Sequence, residues 1–253
     1  MSKFNFDNVI AVRKNKKIYR DGDRVMKVFN SDYSKTDVLN EALNQARVET
    51  TGLNIPKILE VTQTTDGEWV IVTEYIEGKT LQQLMDESPD DKEKYMEMFI
   101  KLQIEVCKNK CTLLTKLKDK MTNKIELANI DSATKYELRT RLEGIARQNQ
   151  LCHGDFIPSN VILKEDGTLY ILDWAHATQG APCCDAARTY LTYCLDNDFE
   201  TANQYLEMYC NLSGIPTRNI QRWLPIVAAS QTVKNIEEER ELLLSWINVQ
   251  DFE

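Results

Sequence analysis

Imidazole is nearly absent from this chain: its only histidines are His153 and His176. A metal centre built from several imidazoles is therefore excluded. Seven cysteines are present, an odd number, and no Cys-x-x-Cys pair occurs among them, so neither a zinc framework nor a disulfide framework is indicated. No apolar run approaches the roughly 18 residues of a membrane span, and the N-terminal stretch MSKFNFDNVI lacks the apolar core of a secretory signal. The expectation is a soluble protein of a reducing cytoplasm. Positive charge is also in deficit, with 31 Lys and Arg against 39 Asp and Glu for a net charge of -8. That balance argues against nucleic acid or an anionic membrane as the main partner and permits a cationic small molecule.

What is present is organised by three Asp-Gly pairs set between runs of alternating apolar residues. They are Asp21-Gly22 in IYRDGDRVMKVF, Asp66-Gly67 in KILEVTQTTDGEWVIVTEY and Asp166-Gly167 in NVILKEDGTLYILDW. Asp-Gly suits the positive-φ turns of hairpins, which predicts hairpins near 16–29, 57–74 and 160–174. Between the first two, Val38, Leu39, Ala42, Leu43 and Ala46 recur at helical spacing, with Ser34 or Thr36 to cap the start and Gly52 to end it. Helical periodicity resumes from Leu81 to about Gln148, broken near 109–112 and 129–132, and again from Pro182, a residue suited to a first helical turn. The pattern predicts an α+β fold of two lobes with a cleft between them. A small strand-rich lobe with one helix spans 1–74, a connector 75–80, and a larger, mainly helical lobe 81–253.

The chemistry-bearing stretch is HGDFIPSN. Its loop offers Asp155 and then Asn160, and eleven residues after Asn160 begins ILDWAHA, whose Asp173 ends the strand and should lie beside Asn160 at the mouth of the third hairpin. A carboxylate with an amide oxygen suits Mg²⁺, which takes few protein oxygens and completes its shell with phosphates and water. Asp155 would then be left to orient an acceptor hydroxyl and take its proton. A hydrogen-bonded polar loop is the alternative reading of the octapeptide alone. Upstream, in RVMKVF, alternation puts Lys27 on the face opposite Met26 and Val28. Glu41, in the following helix, is its natural partner for a phosphate-binding role; a structural or solvated lysine is the alternative.

Lys27, Glu41, the connector VTEYIEGKTL, HGDFIPSN, ILDWAHAT and GAPCCDAARTYL occur in that order. Together they resemble the aminoglycoside phosphotransferase and choline kinase superfamily, with its protein-kinase-like bilobal fold, over nearly the whole chain. The resemblance implies a small-molecule kinase using ATP or GTP with Mg²⁺. It implies Asp155 as the catalytic base, Asn160 and Asp173 as Mg²⁺ ligands, Lys27 as the phosphate lysine and Glu41 as its ion-pair partner. It implies the Glu74–Ile76 backbone as the adenine-binding hinge, His153 as a brace of the catalytic loop, Asp185 as the anchor of that loop and Arg188 as part of a local ion pair.

The chain departs from the family pattern at the first hairpin, VIAVRKNKKIYR, which has no glycine to lie over the phosphates. Asn15 could make its turn, and Arg13, Lys14, Lys16 and Lys17 could supply charge in place of backbone N–H groups; a solvated basic hairpin is the alternative. A protein kinase is disfavoured, because Pro182 starts a helix nine residues after Asp173, and Trp174 stands where protein kinases carry Phe-Gly. A non-catalytic nucleotide-binding scaffold would be expected to have lost a base or a metal ligand. The acceptor is sought in NIEEERELLLSWI, where Ile236, Leu243 and Ile247 share an apolar face and Glu237, Glu238 and Glu241 lie opposite. These glutamates would select a cationic acceptor such as an amino sugar or amino alcohol, unless they are a solvated helix face. Cys183 and Cys184 open the last motif's helix, where buried, inert thiols are expected.

Overall fold

The computed structural model describes residues 4–13 and 15–248. The strands are β1 (Val9–Val12), β2 (Lys16–Asp21), β3 (Arg24–Phe29), β4 (Ile58–Gln63), β5 (Trp69–Glu74), β6 (Lys79–Thr80), β7 (Gln150–Cys152), β8 (Val161–Leu163), β9 (Leu169–Ile171) and β10 (Thr178–Gly180). The α-helices are α1 (Lys35–Glu49), α2 (Leu81–Glu87), α3 (Lys92–Val106), α4 (Leu117–Leu127), α5 (Ser132–Gly144), α6 (Pro182–Leu195), α7 (Phe199–Ser213), α8 (Thr217–Gln221), α9 (Leu224–Thr232) and α10 (Glu237–Ile247). They fall into two compact units, Met1–Glu87 with Pro158–His176, and Ser88–Ile157 with Ala177–Glu253. The third hairpin thus belongs with the N-terminal unit, whereas the order along the chain had set it in the middle of the helical part.

The first unit holds an antiparallel sheet of order β1-β2-β3-β5-β4. All three expected hairpins are present, and their turn geometry is more varied than Asp-Gly alone suggests. Asp21 pairs with Arg24, so the two-residue loop is Gly22-Asp23, with the left-handed φ of 65° at Gly22 that a type II′ turn needs at its first position. In the other two hairpins Gly67 donates to the Thr64 carbonyl and Gly167 to the Lys164 carbonyl, each at 3.0 Å. These are three-residue loops closed by a left-handed glycine. The β1–β2 turn, expected at Asn15, runs through Lys14, which lies outside the described residues.

One face of the sheet packs Met26, Val28, Val70 and Val72 with Phe4, and the other packs Phe29 and Ile71 with Val38 and Ala42 of α1. Lys27 alternates with Met26 and Val28 and so shares the α1 side. Ser34 caps α1 by accepting from the Asp37 N–H. Its buried line includes the polar Glu41, Asn44 and Gln45, while Leu39 and Leu43 are exposed. Gln45 Nε2 donates to the Pro56 carbonyl at 2.7 Å and Asn44 Nδ2 to the Ala175 carbonyl at 3.1 Å, and Glu41 pairs with lysines, whereas Asn44 Oδ1 is buried with no hydrogen-bond partner among the described residues. A second sheet, β6-β8-β9, joins the connector to the third hairpin. Gly78 permits that approach, because a Cβ there would sit 2.5 Å from the Leu163 carbonyl oxygen.

The second unit is helical apart from the antiparallel β7–β10 ribbon. The expected breaks lie between α3 and α4 and between α4 and α5, Pro182 opens α6, and Gly214 ends α7 in a left-handed cap. Phe99, Ile100, Leu191, Tyr205, Trp223 and Ile226 are core residues. No helix among the described residues is long and apolar enough to cross a membrane.

Candidate active site

In the first unit, four charged side chains from four segments meet. Lys27 Nζ lies 2.9 Å from Glu41 Oε1 and 3.2 Å from Asp173 Oδ1. Lys16 Nζ lies 3.2 Å from the same Glu41 oxygen and 3.6 Å from Asp173 Oδ2. The Lys27 and Glu41 side chains are only 12% and 4% exposed, so neither charge could stand there alone. Burial pushes the Lys27 ammonium down, but Asp173 and Glu41 outweigh it and hold its pKa above the ordinary lysine value. Of the basic residues in the first hairpin, Lys17 and Arg13 are exposed, whereas Lys16 turns inward. A lysine position treated as one of a solvated group is therefore part of the site.

Asp173 adopts φ 59°, a left-handed conformation that the short polar side chain of Asp tolerates. Trp174 behind it is fully buried and donates Nε1–H to the Ile171 carbonyl at 3.1 Å, fixing the turn. The Leu172 N–H donates to the Asn160 carbonyl at 2.8 Å, which brings Asn160 against the segment that leads into Asp173. The donor set fits Mg²⁺: one carboxylate and one amide oxygen, as this ion accepts when phosphates and water supply the rest. No group of three or more His, Cys, Asp or Glu is arranged as a metal cage among the described residues.

Along the connector, the Glu74 N–H donates to the Lys57 carbonyl at 3.0 Å and the Tyr75 N–H to the Asp23 carbonyl at 2.8 Å. Ile76, half-buried, donates its N–H to no backbone carbonyl among the described residues. A hydrogen-bonding purine edge would therefore find its backbone donor at Ile76 rather than at Glu74 or Tyr75.

The second unit builds the loop that carries Asp155. The buried Asp185 accepts the His153 N–H on one oxygen at 2.5 Å and the Gly154 N–H on the other at 2.9 Å. Burial raises its pKa, partly countered by His153 and these two N–H groups. His153 is fully buried, packs edge-on against Phe156, and accepts the Asp155 N–H on Nδ1 at 3.2 Å. Thr189 Oγ1 lies 2.7 Å from the Phe156 carbonyl and accepts from Gln103 Nε2 at 3.2 Å, and Gln103 Oε1 accepts from the Tyr205 hydroxyl at 2.7 Å. Every member of this chain is buried, so the loop is held from below by satisfied hydrogen bonds.

Arg188 reaches the carboxylate of Asp155 itself, with Nη2 3.4 Å from Oδ1, and its Nη1 donates to Gln231 Oε1 at 2.7 Å. Gln231 Nε2 in turn donates to Glu239 Oε2 at 2.7 Å. The surrounding field is basic. Burial, then Lys124, lower the Lys120 pKa to about 8, against the pull of Cys184, Asp185 and Asp155. Desolvation, then Arg188, lower Lys234, against Asp155 and Glu239. Glu237, Glu238 and Glu241 are exposed on α10; Glu237 lines a cavity of about 230 Å³ with Asn129, Thr232, Asn235 and Arg240. The acid of this helix tied to the Asp155 loop is Glu239. No disulfide joins the described cysteines, and burial pushes Cys183 up to about 11 and Cys184 well above the ordinary value. The helix start does not activate them.

Sequence reasoning named Lys16 only as one of four basic residues of the first hairpin, although hairpin alternation puts it on the Lys27 side. It missed Gln231, Glu239 and the Thr189–Gln103–Tyr205 chain, which come together from distant segments and carry no local signal.

A buried lysine held by a helix glutamate and an aspartate in one unit, and a braced aspartate loop in the other, accompany the class that similarity to known proteins shows, a phosphotransferase of protein-kinase-like fold with an alcohol group as acceptor. The chain belongs to the phosphotransferase enzyme family, whose model matches residues 8–223. No curated protein matches the sequence significantly. Among solved structures, a thermostable mutant of aminoglycoside phosphotransferase APH(4)-Ia in ternary complex with AMP-PNP and hygromycin B is 13% identical, with TM-score 0.67 over 94% of this chain and 88% of that one. A GDP complex of an aminoglycoside 2'-phosphotransferase-IIIa mutant is 16% identical, with TM-score 0.60 over 97% and 93%. A choline/ethanolamine kinase family protein from Mesorhizobium loti is 16% identical, with TM-score 0.61 over 99% and 83%. At these identities the likeness establishes the fold.

Proposed function

We propose that this protein transfers the γ-phosphate of ATP or GTP to a hydroxyl of a small molecule, with Mg²⁺ as the required ion. The observation that carries the proposal is the inward-facing Lys27, held at 2.9 Å by Glu41 and at 3.2 Å by Asp173. Lys27 would bind the phosphates, the Glu74–Ile76 connector the base, and Asn160 and Asp173 the ion, which when bound neutralises charge on the phosphates. Asp155 orients the acceptor hydroxyl and takes its proton as the new P–O bond forms and the bond to the departing diphosphate breaks. Asp185 and His153 hold the loop, and Arg188 keeps the Asp155 carboxylate in place. The solved neighbours with AMP-PNP and hygromycin B or with GDP bound support a nucleotide and a small acceptor as partners. A non-catalytic scaffold is disfavoured, because Lys27, Asp155, Asn160 and Asp173 are all retained.

Two acceptor classes follow from two observations. The exposed Glu237, Glu238 and Glu241 would favour an amino sugar or amino alcohol. The basic groups whose field reaches Asp155 (Lys120, Arg188 and Lys234) favour an acceptor that carries an acidic group, and these are the charges nearer the chemistry. The test is phosphate transfer from ATP and from GTP to a panel of amino sugars, amino alcohols, hydroxy acids and sugars. Wild type should phosphorylate at least one member, and Asp155→Asn should lose 10²-fold or more of that rate, on the order expected for a general base. An Asp155→Asn variant as active as wild type would sink the assignment of the base.

A further inference from the structure

The first hairpin has no glycine, yet the unit still has to present positive charge to a phosphate chain. We infer that Lys16 is a second phosphate-binding residue, which forms with Lys27 a two-lysine cradle that does the work a glycine-rich turn would do through its N–H groups. The inference rests on the proposed nucleotide site and assigns a residue within it.

Three observations support it. Lys16 pairs across the sheet with Phe29 and Ile18 pairs with Lys27, so Lys16 and Lys27 lie on the same sheet face, in adjacent strands. Both ammonium groups share Glu41 Oε1, at 3.2 and 2.9 Å, and each takes a different oxygen of Asp173. The Lys16 side chain is 16% exposed, close to the 12% of Lys27, and it crosses the Phe29 ring at 5.6 Å. Its neighbour Lys17, by contrast, is exposed.

The charge balance says what such a group is for. Lys16, Lys27, Glu41 and Asp173 sum to zero. A divalent cation arriving alone at Asp173 would be repelled by two lysines, and a phosphate chain arriving alone would be repelled by two carboxylates. When both arrive, the cation takes up Asp173, and both lysines turn from that carboxylate to phosphate oxygens. Lys27 stays held by Glu41, while Lys16, the longer-range partner of Asp173 at 3.6 Å, is the one released. Ion and phosphates therefore bind as a coupled pair, and Lys16 is part of the coupling.

The test uses Lys16→Met and Lys16→Arg in the full chain, with binding measured by calorimetry and thermal shift. The probes are ATP and GTP with Mg²⁺, inorganic tripolyphosphate with Mg²⁺, adenosine and guanosine, and Mg²⁺ alone. Lys16→Met should bind the Mg²⁺-triphosphates and Mg²⁺-tripolyphosphate about 10- to 100-fold more weakly, the range for losing a hydrogen bond to a charged group. It should bind the nucleosides as wild type does, and Mg²⁺ alone more tightly, because one repelling charge has gone. Lys16→Arg, which keeps the charge, should recover most of the triphosphate affinity. A purely structural lysine would lower the melting temperature of the unliganded protein and leave triphosphate and nucleoside affinities unchanged relative to each other, and that result overturns the inference. Wild type that binds neither the nucleotides nor tripolyphosphate overturns both this inference and the reading it rests on.

Discussion

Lys27 shows how one residue can be read from a sequence and then explained by a structure. Its alternation with Met26 and Val28 turned it toward α1, and Glu41 was the acid within reach on the covering helix. The distances now show why the charge is tolerated: two carboxylates meet it in a site that water scarcely enters. Lys27→Met should cost about 3 kcal/mol at pH 7, the low end for breaking a buried pair, because Lys16 still covers Glu41. The pH sign follows from the raised folded pKa. The stabilisation is complete below the unfolded lysine's value of 10.5 and is lost only as pH rises through the higher folded value. Chemical denaturation of both proteins from pH 7 to 11 checks this. The gap between them should hold constant to about pH 10, and a gap that closes below pH 9 would contradict the burial of the charge. Arg188 was less legible. The resemblance implied only a local ion pair, and the partner is Asp155, which folding brings in from 33 residues away.

At the level of elements, hairpins were legible because Gly22, Gly67 and Gly167 need positive φ, and a positive-φ glycine between alternating runs has few other uses. Loop length was not legible. Asp-Gly is compatible with two- and three-residue loops, and only the pairing of Asp21 with Arg24 shows the first loop to be Gly22-Asp23. In α1, hydrophobic spacing drew attention to Leu39 and Leu43, which are exposed, and away from Gln45 and Asn44, which are buried on carbonyls. Periodicity gave the existence of the helix but shifted its face. The Asp155 loop shows the opposite case, where elements distant in sequence supply the support. Thr189→Val removes the hydroxyl that meets the Phe156 carbonyl and Gln103 and leaves buried groups unmatched, which should cost about 1–3 kcal/mol. Measured by denaturation and steady-state kinetics, the loss should come with a lower kcat and an unchanged nucleotide KM, because Thr189 and its partners belong to the second unit. A raised nucleotide KM with kcat unaltered would refute the assigned role.

Across the whole molecule, the division of labour follows the two compact units. The first contains every group assigned to nucleotide and ion: Lys16, Lys27, Glu41, the Glu74–Ile76 connector, Asn160 and Asp173. The second contains Asp155, its braces and the groups assigned to the acceptor. The boundary falls between Ile157 and Pro158, inside HGDFIPSN, so the proposed base Asp155 and the proposed metal ligand Asn160 are five residues apart in sequence and in different units. The order of motifs was enough to identify the class, while the assignment of 158–176 to the first unit depended on β8 pairing with β6, a two-residue strand with no sequence signature. The proposed acceptor site was the least legible part, because the basic groups proposed for it, Lys120, Arg188 and Lys234, come from α4, α6 and the turn after α9, and α10 drew notice only through its run of glutamates. The central claim, that the first unit binds a nucleotide through a Mg²⁺-dependent site on Asp173, is tested most directly by thermal stability with and without nucleotide. ATP or GTP should raise the melting temperature only when Mg²⁺ is present, and Asp173→Ala should abolish most of that rise. No stabilisation of wild type by either nucleotide with Mg²⁺, or an equal rise in Asp173→Ala, would contradict it.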